Sequence, residues 1–131
     1  MTESVISPLP SPGIDPGPAP IDLPDLIERC GGDRGFVSEL FDLCLTSVPE
    51  TLQRLDETAA SGDWPGLAAE SHGLKGTART IAAEGLALAC EALERAAWLA
   101  DPEAAQLGLA AVGETWTRDR AEMIRFQGEM T

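Results

Sequence analysis

Tyrosine is absent, and phenylalanine and tryptophan supply only three residues each in a chain of 131. A chain this poor in aromatics, with alanine and leucine dominating its second half, favours helices over sheets. Positive charge is also scarce. Nine Lys and Arg face 22 Asp and Glu, a formal charge of −13. That balance excludes nucleic acid as a partner, because a phosphate backbone needs clustered cations, and it disfavours anionic membrane surfaces. No apolar run is long enough to span a bilayer and no signal-peptide pattern opens the chain, so a cytoplasmic protein is expected. There is one histidine, and Cys30, Cys44 and Cys90 form no C-x-x-C pair. A metal site is therefore not expected, and the cysteines are expected as buried free thiols. No glycine-rich nucleotide loop is present, so the chain is not expected to use ATP itself.

The length suffices for one domain with a core. Residues 1–20 carry prolines at 8, 10, 12, 16, 18 and 20, which rules out regular helix or sheet there. They are expected to form a disordered Pro-rich tail, followed by a domain over 21–128. Helix punctuation divides that domain into five pieces. Asp22 caps a short helix to Cys30, which Gly31-Gly32 ends. Asp33 caps a long helix over 34–60 with the stripe Val37, Leu40, Phe41, Cys44, Val48, Leu52 and Leu55. Pro49 interrupts that stripe without shifting its phase, predicting a bent helix and not two helices. Asp63 caps a third helix to Thr80, with Pro65 in its first turn. A fourth spans 83–100, and Asp101-Pro102-Glu103 starts a fifth over 102–126, which Gly108 and Gly113 weaken. Trp98 is expected to cover a bundle end. Short loops between long amphipathic helices imply antiparallel neighbours. The fold expected is all-α, an antiparallel up-and-down four-helix bundle with a short extra N-terminal helix.

The third helix holds the histidine. Leu67, Ser71, Leu74, Ala78 and Ile81 recur at spacings of four and three, one face of a helix. On that wheel His72 lies roughly 140° from the centre of the apolar comb and points outward, while Ala68, Lys75, Gly76 and Arg79 lie within roughly 60° of it. Glycine inside a helix costs about 0.5–1 kcal/mol relative to alanine. It occurs twice beside this one histidine, at Gly73 and Gly76. The arrangement suggests that something approaches closely. A neutral imidazole is a good nucleophile, and Lys75, one turn away, can offset negative charge placed on the ring.

Ser71-His72, Leu74-Lys75-Gly76, Thr77-Ala78, then Ala83, Leu86, Cys90 and Leu93-Glu94 resemble the signature of the histidine-containing phosphotransfer (HPt) domain of bacterial phosphorelays. Gly31-Gly32-Asp33 and Gly62-Asp63-Trp64 extend the resemblance over residues 21–127. Two positions depart from the pattern: Ser71 stands for alanine, and Ala82 stands for glycine, which is expected to reshape the corner after the third helix.

The resemblance implies the same bundle, with His72 as the residue that is phosphorylated, through its outer nitrogen Nε2, and Lys75 as the phosphate-stabilising residue. Ala68, Ala69, Gly73, Gly76 and Arg79 are the candidates for close approach and docking. His72 is expected to take phosphate from a receiver-domain aspartate and pass it to another, without ATP-dependent kinase activity of its own. The partners implied are receiver domains of response regulators or hybrid histidine kinases. No cofactor is expected in this chain, since Mg²⁺ belongs to the receiver. A monomer is expected, because all four long helices can bury their stripes internally. The alternatives are a non-catalytic helical module that sequesters a receiver, and a phospho-accepting module served by a chemotaxis-type kinase.

Overall fold

A computed structural model describes residues 20–130. The Pro-rich stretch over 1–19 lies outside the described residues. Five helices occur, α1 (Leu23–Arg29), α2 (Arg34–Ser61), α3 (Trp64–Thr80), α4 (Glu84–Trp98) and α5 (Pro102–Glu129). They hold 86% of the described residues, which include no strand. Each long helix packs on its neighbour in sequence, and α2 also packs on α5, which closes a four-helix bundle. The short helix α1 lies at the bundle end that contains the α3–α4 corner. Asp22 N–H donates to Ala82 O at 3.0 Å and Arg29 Nη1 to Arg79 O at 2.9 Å.

The helix starts follow the aspartates. Asp22, Asp33, Asp63 and Asp101 each accept from a backbone amide three residues on, at 3.0–3.1 Å. Helix α4 alone of the five begins without a side-chain cap, at Ala83. Helix α2 runs through Pro49 as one element, as its in-phase stripe requires. Val37, Phe41, Cys44, Val48 and Leu55 are buried, and Leu40 and Leu52 are half-buried. Phe41 meets Phe126 of α5 edge-on, with centroids 5.5 Å apart. The three thiols are free, Cys44 and Cys90 buried and Cys30 half-buried.

Three features were not visible as sequence pattern. The first four helices all end on a left-handed residue, and only two of those are glycine. Gly31 and Gly62 have φ of 67° and 71°, while Ala82 and Ala100 have φ of 59° and 50°. Ala82 therefore keeps the left-handed corner that glycine would make, so the corner is strained but not redrawn. Gly108 does more than weaken α5: a Cβ there would lie 3.1 Å from Leu93, so glycine lets α5 close on α4. Trp98, expected to cover a bundle end, is 70% exposed and lies outside the core.

Candidate functional site

The comb on α3 is buried throughout. Leu67, Ser71, Leu74, Ala78 and Ile81 all face the core, and the Ser71 hydroxyl is satisfied by Leu67 O at 2.8 Å. That local bond lets serine stand where the resemblance has alanine. His72 lies on the opposite side, its side chain 69% exposed.

Neighbouring helices fix what lies on each flank of His72. On one flank Glu70 pairs with Arg54 of α2 at 3.0 Å. On the other, Glu94 of α4 touches two α3 residues at once. Its Oε2 lies 3.2 Å from His72 Nδ1, and its Oε1 accepts from Lys75 Nζ at 2.8 Å. Ala68 shares the Lys75 flank on the helical wheel, and there the structure corrects the sequence reading. Ala68 is buried, because the arc of α3 covered by α4 is wider than the apolar comb. It cannot belong to a docking surface. Ala69, Gly73 and Gly76 are exposed beside His72. A methyl group built on Gly73 or Gly76 meets nothing within 4 Å among the described residues, so no neighbouring side chain there requires either glycine. Arg79 is exposed on the same face as His72, two turns or about 10 Å further along the axis.

The ion pair shapes the chemistry. The hydrogen bond from Lys75, reinforced by its charge and by His72, holds the Glu94 carboxyl below the usual carboxylate range, against an opposing push from desolvation. An ionised carboxylate only accepts hydrogen bonds. In neutral His72, Nδ1 must then carry the proton that Glu94 receives, and the lone pair sits on Nε2. Beneath the pair, burial pushes the Cys90 thiol up to about 12, so it is no competing nucleophile. Among the described residues no group of three or more His, Cys, Asp and Glu could hold a metal ion.

Glu94 is the neighbour of His72 that sequence reasoning left without a role. Its signal was present as a motif position, but a separation of 22 positions from His72 hid the contact.

An exposed imidazole, oriented by a carboxylate on the next helix and bordered by unfilled space, is set in a four-helix bundle, and the Hpt domain family model matches residues 39–124. The chain belongs to the Hpt domain family. Hpt domains carry phosphoryl groups in phosphorelays, and phosphotransfer is the function of this chain. Their partners in general are receiver domains and histidine kinases. The fold is also that of a solved structure, the histidine-containing phosphotransfer protein ZmHP2 from maize, at a TM-score of 0.69 and 18% identity, over 85% of this chain and 84% of that one. No curated protein matches by sequence. Among the described residues of this Hpt protein, no helix is long and apolar enough to cross a membrane.

Proposed function

We propose that His72 is the phosphoryl acceptor and that it attacks through Nε2. The observation that carries this reading is the Glu94 contact to Nδ1, which leaves Nε2 as the nitrogen with a lone pair on a ring open to a partner. The donor is an acyl phosphate on a receiver aspartate. As the N–P bond forms at Nε2, the P–O bond to the aspartyl carboxyl breaks, and that carboxylate leaves with the electron pair. Nδ1 keeps its proton. The ring then carries positive charge that Glu94 offsets, the same logic by which an aspartate steadies the imidazolium of a hydrolase triad. The transfer back to a second receiver reverses these bonds.

Lys75 has two tasks in this reading. One of its three N–H groups holds Glu94, and the other two can meet phosphoryl oxygens. Gly73, Gly76 and Ala69 leave room for the receiver's loops, and Arg79 lies at the edge of that face. The receiver supplies Mg²⁺ and the acidic residues that bind it, so this chain is a carrier and not a kinase, with no cofactor of its own. A cytoplasmic monomer that binds neither nucleic acid nor membrane suits both the charge of −13 and the internally paired stripes.

The test is labelling by a phosphorylated receiver. Wild type should take up acid-labile, base-stable phosphate, and His72→Gln should take up none. Label that persists in His72→Gln would remove His72 from the chemistry. Stable receiver binding without label on the wild type would make the chain a sequestering module.

A further inference from the structure

We propose that the receiver exchanging phosphate with His72 also seats on a shelf formed by Trp98 and Leu99 at the C-terminal end of α4; this rests on the phosphocarrier reading above. Trp98 and Leu99 are 70% and 69% exposed, two large apolar side chains in succession with no core role. They line one hollow of about 280 Å³ together with Lys75, Glu91, Glu94 and Arg95. The shelf is thus continuous with Glu94, which touches the phospho-accepting ring, and with Lys75, which holds Glu94.

Distance makes the overlap hard to avoid. Glu94 touches His72, and Trp98 lies one turn further along α4, about 6 Å. A partner that reaches Nε2 through an interface of ordinary size covers about 800 Å² of each surface, a disc of about 16 Å radius. The shelf falls inside that disc. Tryptophan is also the side chain most often found to dominate binding energy at such interfaces.

Charge supports the same occupant. A receiver presents its phosphorylated aspartate and metal-binding acids toward His72, and most of a chain with a formal charge of −13 repels such a face. The hollow is an exception, since Lys75 and Arg95 balance Glu91 and Glu94. An acidic partner therefore meets a locally neutral, partly apolar floor.

The experiment compares two phosphodonors on the full chain. Phosphoramidate, a small donor that needs no docking surface, should label Trp98→Ala and Leu99→Ala at the wild-type rate. Transfer from a receiver that exchanges phosphate with the wild type should show a KM raised about tenfold in Trp98→Ala and less in Leu99→Ala, with the rate at saturation little changed. An unchanged KM in both variants overturns the shelf. So does a loss of self-association in Trp98→Ala with transfer intact, which would assign the patch to a second copy of this chain. Failure of phosphoramidate to label the wild type, with His72→Gln as the blank, would instead overturn His72 as acceptor, and the shelf with it.

Discussion

Glu94 Oε2 lies 3.2 Å from His72 Nδ1 while Oε1 of the same carboxylate takes a 2.8 Å hydrogen bond from Lys75. One acidic side chain thus sets the tautomer of the ring and is itself held in place by the cation one turn from that ring.

Replacing Glu94 with alanine should free both partners. The ring would then sample both neutral tautomers, and the positive charge formed on phosphorylation would lose its counter-ion. A hydrogen bond to a charged group contributes about 1.5 kcal/mol or more, so receiver-dependent labelling should slow by about tenfold. Nitrogen-15 shifts of the imidazole should show the Nε2 lone pair in the wild type and a mixture in the variant. Lys75→Ala should slow transfer more than it weakens receiver binding; equal effects on both would limit Lys75 to docking.

The glycines beside His72 should show opposed effects. A methyl group at Gly73 or Gly76 meets no neighbour, so each change to alanine should stabilise the helix by about 0.5–1 kcal/mol. Receiver-dependent transfer should fall, most at Gly76, which lies nearer the His72 direction on the helical wheel. Thermal melting paired with transfer rates reads both signs. A Gly76→Ala variant that is more stable and equally fast would show that the space is not used.

Asp119 of α5 is buried at 3% exposure, and its Oδ2 has no hydrogen-bond partner among the described residues. Desolvation raises its pKa from 3.8 to about 6, despite the Ile21 backbone amide and Arg118, which favour the charge. A carboxyl with a raised folded pKa stabilises the fold below its unfolded pKa, and that contribution is lost as pH rises to about 6. A shift of this size corresponds to about 3 kcal/mol. Asp119→Asn should therefore be more stable than wild type at pH 7.5, by about 1–3 kcal/mol, and no more stable at pH 3.5. Urea midpoints at the two pH values decide it; equal gains at both would mean that the charge is not the cause.

Ala82 and Ala100 occupy left-handed backbone at φ of 59° and 50°. That conformation costs a residue with a Cβ about 1–2 kcal/mol. Glycine recovers the strain but loosens the unfolded chain by about half of it. Ala100→Gly, on the surface, should raise stability by about 0.5–1 kcal/mol in a denaturant melt. Ala82→Gly should do the same unless its methyl packs well enough against the α3–α4 corner to offset the gain.

Much of the fold was legible because helix signals are local. An aspartate that caps acts three residues on, and a 3–4 spacing marks one face whatever that face later meets. Hence Asp22, Asp33, Asp63 and Asp101 marked their helices, and the comb from Leu67 to Ile81 put His72 outside. Ala82 stood out only because the resemblance has glycine there, and Ala100 escaped notice, because strain of that kind has no sequence signal when glycine is missing.

From the chain alone came the five helices, the outward histidine, and the pairing of that histidine with a lysine and two glycines at helical spacing. All of these depend on contacts within a few residues. Packing decided the rest. Which flank of α3 is covered by α4 depends on how two helices cross, and that choice buried Ala68, brought Glu94 to His72, required glycine at position 108, enclosed Asp119 and left Trp98 in water. Such outcomes join residues far apart in sequence, and periodicity within one helix carries no information about the register of the next.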